Sequence, residues 1–386
     1  MRFCFIAPGH ITVDVLNGDT RESGGAEAQV AYLATAFANL GHQVALIYGY
    51  GNAGTASSII AGVKCMDAYP SWKRAGSLLA FWAALKESAP DLIYARLPND
   101  FLWLAGLFSR LHRESKFLYA LAHDRHCNPW QAYTYNRWFH DPLYALGLRT
   151  ADVVALQHEA QAQLVKPHTK GKLVLVPNLV RSVADKARKY EEADIDVIWI
   201  AKIRPQKQLH LFLDVVEALS HLQFVIVGWF DPFFDQKTRR DLEHRMQRLE
   251  NVRFLGAQRF EGVTQLLMRS KILVNTSNWE GFPNTMLEAW SVGVPVVSLQ
   301  IDPGGVIRRE ALGLVSGTVS KMISDVEMLV QTRSLNREMG ERGLKYVRRA
   351  HSLEAVCQAF GRIVPGMQTQ DQARDSTVRK GDALLA

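Results

Sequence analysis

The stretch KILVNTSNWEGFPNTMLEAWSVGVPVVSL, Lys271 to Leu299, decides how this 386-residue chain is read. It opens on Ile272-Leu273-Val274, an apolar run suited to a buried strand. A turn-forming loop follows over residues 278–284 and holds Gly281 and Pro283. The pattern then predicts a short helix over 285–292, stopped by Gly293 and Pro295, and a strand over 295–299. A strand–loop–helix unit presents backbone N–H groups at a helix N-terminus, a place that suits phosphate. Glu280 and Glu288 bracket that place. Carboxylates repel a phosphate but accept hydrogen bonds from sugar hydroxyls, so a ligand with both groups fits them. The bland alternative is a capping box, Thr285-x-x-Glu288, in which Glu288 only satisfies a helix end.

The segment Glu280-Gly281-Phe282-Pro283-Asn284-Thr285-Met286-Leu287-Glu288 resembles the donor motif of retaining, nucleotide-sugar-dependent glycosyltransferases with two Rossmann-like domains. This is the GT-B fold, family 4 or group 1 type. The resemblance implies that Glu280 lies near the transferred sugar and Glu288 holds the nucleotide ribose. Residues 281–285 would then line the donor.

Composition sets the bounds. Apolar residues make up 48% of the chain, enough to fill two cores, and the length favours two domains. No apolar run reaches the ~20 residues that span a bilayer. The start, Met1 to Pro8, reads as a strand and not as a signal peptide, which gives the expectation of a cytoplasmic protein. Cys4, Cys65, Cys127 and Cys357 form no CxxC and are expected to be reduced. A net charge of +7 favours an anionic partner, whether a nucleoside diphosphate or an anionic membrane surface. Neither zinc-finger spacing nor an RNA-binding aromatic motif is present, so nucleic acid is not an expected partner.

Strands and helices alternate outward from the central motif. Residues 3–7 read as a first strand and 8–24 as a long loop. Gly24-Gly25-Ala26-Glu27 opens an amphipathic helix, and 43–48 is the next strand. This opening resembles the start of the same family, where paired glycines allow close backbone approach to a ligand. Further strands are expected at 92–95, 116–122, 151–156 and 172–176, with helices at 71–86 and 100–111. Arg96 and the pair His123-Asp124 fall at C-terminal strand ends, where open α/β sheets bind ligands, so all three are cleft candidates. By resemblance, His123 contacts the transferred sugar. HDRHC, residues 123–127, is too compressed for a closed zinc site. The aromatic segment 128–149 reads as core or helix packing, with sugar or membrane contact as the alternative.

The domains are expected at 1–180 and 197–349, joined by a linker at 181–196. A helix at 350–366 returns to the first domain and 367–386 frays. The two domains are expected to face each other across a cleft. In the second domain, Lys202-Ile203-Arg204-Pro205-Gln206-Lys207 ends a strand and resembles the family's basic loop for the leaving diphosphate. Lys202 stands where the family has arginine, which keeps charge and loses the planar fork. Gly304 and Gly305 form a second glycine loop on the same side.

The resemblance implies transfer of a sugar, with retention, to a glycan or lipid-linked acceptor in polysaccharide or glycolipid synthesis. The donor is a co-substrate, and neither cofactor nor metal is expected. Asp194-Ile195-Asp196 is a DxD, but it precedes its strand and so lies at the end remote from ligands. Three rivals are a nucleotide-sugar epimerase, a silent nucleotide-sugar binder and an NAD-dependent oxidoreductase. The last rests on Gly49-x-Gly51-x-x-Gly54, which follows the second strand and not the first.

Overall fold

The computed structural model describes residues 1–49, 57–71, 76–132, 137–181, 188, 190–365 and 367. Most of the Gly49–Gly54 fingerprint, Trp72, Tyr133, Tyr135, much of the linker and the tail beyond 367 lie outside the described residues.

The chain forms two compact units. Unit 1 comprises Met1–Asp19, Gly25–Leu179 and Leu353–Ala386, and unit 2 comprises Thr20–Gly24 and Val180–Ser352. Among the described residues unit 1 carries eight strands: β1 (Arg2–Ile6), β2 (Gln43–Tyr48), β3 (Ser57–Ile60), β4 (Val63–Asp67), β5 (Leu92–Arg96), β6 (Lys116–Ala120), β7 (Val153–Leu156) and β8 (Lys172–Leu175). Their order is β3-β4-β2-β1-β5-β6-β7-β8, parallel except for the β3–β4 hairpin. The order reverses between β1 and β5, which makes that gap the unit's topological switch point.

Strand alternation fills two apolar layers. Phe3 and Phe5 point to one face of β1, where Phe3 meets Phe37 of the helix Gly25–Asn39 at 4.7 Å between ring centroids. Cys4 and Ile6 point to the other, with Phe81 and Phe108. Burial on both faces is what a parallel sheet requires. The last described helix, Leu353–Gly361, belongs to unit 1 and sets Phe360 edge-on to Phe37 at 5.0 Å and stacked on Tyr94 at 6.2 Å.

Unit 2 has six parallel strands: β9 (Ile195–Ile200), β10 (Phe224–Val227), β11 (Val252–Phe254), β12 (Ser270–Asn275), β13 (Val296–Ser298) and β14 (Gly313–Val315). The order is β11-β10-β9-β12-β13-β14, so the switch point falls between β9 and β12.

Several expectations need correction. The loop expected over 8–24 contains a helix, Ile11–Leu16, too short to announce itself by periodicity. The β3–β4 hairpin was not foreseen, because β3 is a short edge strand with Ile59 80% exposed. Strand β9 begins at Ile195, so Asp196 lies inside it rather than before it. The aromatic segment divides: Tyr144 is fully buried and donates to the His126 carbonyl at 2.6 Å, whereas Trp138 is 82% exposed.

Candidate functional site

Unit 2 gathers its charged loops at the β9–β12 switch point. Strand β9 ends at Ile200, and the basic loop runs from Lys202 through a short turn, Pro205–Lys207, into the helix Leu209–Ala218. Gln208 caps that helix with φ 49°. Strand β12 ends at Asn275, and its loop carries Glu280 to the helix Asn284–Ser291. Three bonds lock the loops together. The Asn278 N–H donates to the Gln206 carbonyl at 3.0 Å. Thr276 Oγ1 donates to the Lys207 carbonyl at 2.7 Å and accepts from Trp199 Nε1 at 3.0 Å.

The side chains form three ion pairs. Lys207 Nζ bonds the Glu280 carboxylate. Lys202 Nζ and Arg204 Nε both reach Asp231 Oδ2, at 3.1 and 2.7 Å. Burial works to raise the Asp231 carboxyl, but the Phe233 N–H and the two cations outweigh it and hold it below its ordinary value. Three cations thus face two carboxylates, a surplus of one positive charge. An anionic ligand is attracted there, and the carboxylates it frees become acceptors for hydroxyls.

Asp231 was not identified from sequence. Its signal was Trp229-Phe230-Asp231 directly after β10, on the ligand side of the sheet. Gly228 brings it into place. With φ 149°, a Cβ on Gly228 would stand 1.8 Å from the Ala201 carbonyl oxygen. That close approach leads into the bridge between Ile203 and Phe230.

Glu288 lies on the inner turns of the helix Asn284–Ser291. Pro283, not Thr285, is the N-cap, so the capping-box alternative for Glu288 is removed. Burial pushes its carboxyl up to about 7, opposed by Arg181. The side chain of Phe282 is core, set against His351 at 5.0 Å and edge-on to Trp290 at 6.4 Å. Gly304 and Gly305 adopt φ 60° and 71° and lead into the short helix Val306–Arg309. The DxD carboxylates are engaged elsewhere: Asp194 pairs with Arg269, and Asp196 with Lys271 at 2.7 Å.

In unit 1, His123 follows β6, is 7% exposed and accepts the Arg125 N–H on Nδ1 at 2.9 Å. Asp124 accepts from His158 Nε2 and Gln161 Nε2, both at 2.9 Å. These bonds outweigh burial and hold its carboxyl below its ordinary value. Burial pushes His126 well below its ordinary value and the Cys127 thiol up to about 12. Among the described residues no cluster of three or more His, Cys, Asp and Glu is arranged to hold a metal ion. Arg96 ends β5 at 5% exposure, with its terminal nitrogens donating to Asn178 Oδ1 at 2.9 Å and Tyr94 Oη at 3.3 Å. Gly25 opens its helix in unit 1, while Gly24 belongs to unit 2.

Two family models match in tandem: Glycosyltransferase Family 4 over residues 23–183 and Glycosyl transferases group 1 over residues 194–332. The chain is 24% identical over 237 residues to glycosyltransferase 1 domain-containing protein 1 of Xenopus tropicalis, covering 56% of this chain and 67% of that one. It is 26% identical over 183 residues to the lipopolysaccharide core biosynthesis glycosyltransferase LpsE of Rhizobium meliloti, covering 46% and 52%. The fold matches that of Anabaena HepE in complex with UDP-glucose, with a TM-score of 0.69 at 18% identity, over 94% of this chain and 99% of that one. Two parallel-sheet units with a charged switch point define the class as GT-B. Within it, the chain belongs to the group 1, family 4 glycosyltransferases.

Proposed function

We propose that the chain transfers a sugar from a nucleoside-diphosphate donor to an acceptor hydroxyl, with retention and without a divalent metal. The observation that carries this reading is the pairing of Lys207 with Glu280 beside Lys202, Arg204 and Asp231 at one switch point. As the anomeric carbon–oxygen bond breaks, charge builds on the departing diphosphate. Lys202, Arg204, Lys207 and the N–H groups at Gly281 are placed to stabilise it. Released from Lys207, Glu280 accepts sugar hydroxyls, and Glu288 accepts those of the ribose. The acceptor oxygen bonds to the anomeric carbon on the face the diphosphate leaves, and its proton passes to the departing diphosphate oxygen. His123 keeps the sugar-contacting role that the family resemblance implies.

HepE, a fold neighbour, was solved with UDP-glucose, and LpsE is named for lipopolysaccharide core synthesis. These support a nucleotide-sugar donor and a cell-surface glycan or glycolipid product. No helix among the described residues is long and apolar enough to cross a membrane. Exposed Trp130 and Trp138, with a net charge of +7, support reversible attachment to anionic membrane from the cytoplasmic side. Co-sedimentation with anionic liposomes at low salt, lost at high salt, is the expected behaviour.

The deciding experiment titrates nucleotide-sugars by thermal shift, then follows the stabilising donor with acceptor extracts under saturating chelator. Transfer with the donor's anomeric configuration kept is expected. Donor consumption without acceptor would instead mark an epimerase. Donor binding without turnover would mark a silent binder, and activity restored only by Mg²⁺ or Mn²⁺ would remove the metal-free mechanism.

A further inference from the structure

Unit 1 holds a cavity of its own at the β1–β5 switch point, lined by no residue used above for the donor. It measures about 40 Å³ and opens to solvent, and Thr12, Glu27, Arg96 and Leu97 line it with Pro8 and Gly9. That is far below the ~300–1,000 Å³ of a pocket that swallows a whole ligand, so the cavity takes one anionic group and leaves the rest of the ligand at its open mouth.

Three features mark it as built for a ligand. First, Arg96 is a buried cation with no carboxylate partner among the described residues, and its Nε has no hydrogen-bond acceptor. Its terminal nitrogens are pinned by Asn178 and Tyr94, so the fork is oriented before anything binds. A guanidinium taken from water without a counter-ion is costly, and an anion in the cavity removes that cost. Second, Thr12 is 1% exposed and its hydroxyl has no partner. Third, Leu97 holds φ 81°, a strained backbone for a residue with a side chain, immediately after Arg96. Glu27, in the first turn of the helix Gly25–Asn39, lines the same space and makes no ion pair with Arg96. It is placed for hydroxyl groups rather than for the anion.

We propose that this cavity binds an anionic polyol, with its phosphate or carboxylate on Arg96 and Thr12 and its hydroxyls on Glu27. Calling this ligand the glycosyl acceptor rests on the transferase reading; the binding site itself does not. The acceptor class that follows is a small phosphorylated or carboxylated polyol or sugar, free or as a lipid headgroup.

The test is calorimetric titration of the full chain with glycerol 3-phosphate and with glucuronate, against glycerol and glucose as uncharged controls. It is run with the donor's nucleoside diphosphate saturating, or on ligand-free protein if no nucleotide binds. Nucleotide binding is thus scored separately from anion binding. At least one anion is expected to bind and the neutral controls to stay silent. Arg96→Gln should weaken that anion tenfold or more, and Arg96→Lys should restore part of it. If Arg96→Gln does not fold, Thr12→Val decides, with an expected weakening of about threefold for a lost hydrogen bond. Failure of both anions to bind, or affinity unchanged in the decisive variant, overturns the proposal. Dihexanoyl phosphatidic acid below its micelle concentration separates the two sources: tighter binding than glycerol 3-phosphate assigns a lipid headgroup, weaker binding a soluble acceptor.

Discussion

In the proposed mechanism Glu288 serves function at the expense of stability. Its carboxyl is raised from the ordinary range to about 7 by burial. Between the unfolded value and 7 the folded chain holds a proton that the unfolded chain has released. Stability is therefore lost as pH rises through that window. Glu288→Gln should be more stable than the parent at pH 8, by about 2–4 °C in Tm, yet bind nucleotide at least tenfold more weakly. On the proposed role of Glu288, in which the ionised form accepts the ribose hydroxyls, donor affinity of the parent should rise with pH up to about 7 and then level. A melt and a nucleotide titration at pH 6 and pH 8 check both. Equal nucleotide affinity in the variant would make Glu288 a bystander. Gly228 gives a second residue-level prediction. A methyl group there meets the Ala201 carbonyl, which is backbone and cannot swing aside. Gly228→Ala should cost about 3 kcal/mol or more and displace Lys202 and Asp231, lowering kcat together with stability. The glutamates were legible because their spacing and the Gly-Phe-Pro loop are local in sequence. Asp231 was not, because it meets Lys202 and Arg204 only through pairing of β10 with β9.

At the scale of elements, polar side chains replace missing backbone partners where strands and helices end. Asn336, fully buried in the helix Arg333–Ala350, donates to the Lys271 and Leu329 carbonyls, both at 3.1 Å, and accepts from Arg188. Arg188 in turn donates to the Ser270 and Lys271 carbonyls at 3.0 and 2.7 Å. Asn336→Ala removes the side-chain partner of the Leu329 carbonyl and of Arg188 Nη2, while Arg188 still serves the Lys271 carbonyl, and should cost about 1–3 kcal/mol, read as a lower urea midpoint. An unchanged midpoint would mean that water replaces the amide. Most strands of both sheets were readable because a strand buried on both faces is a continuous apolar run bounded by turns. Where that signal fails, the reading failed too. Ile11–Leu16 is too short for a helical period, and β3 has one wet face and an edge position. The basic loop was readable as a motif, but its anchorage was not. The Thr276 and Asn278 bonds that hold it join segments some 70 residues apart.

On the scale of the whole molecule, both ends of the described chain belong to unit 1, and unit 2 is inserted between them. Phe360 packs on Phe37 and Tyr94, with Val356, Ile363 and Val364 in the same apolar layer. A chain cut after Ser352 should keep a folded unit 2 and its nucleotide binding. Its unit 1 should bind a hydrophobic dye and aggregate, because that layer is uncovered. A soluble truncated chain with native-like melting of both units would contradict this. The same arrangement orders events on the ribosome. The sheet of unit 1 is complete by Leu175, but the helix that covers it begins at Leu353. At ~5–20 residues per second, synthesis leaves the sheet half-dressed for roughly 10–40 seconds while the Val180–Ser352 segment of unit 2 is made. The sheet translated ahead of unit 2 therefore finishes folding only after unit 2 has been made, and it is the part most in need of a chaperone.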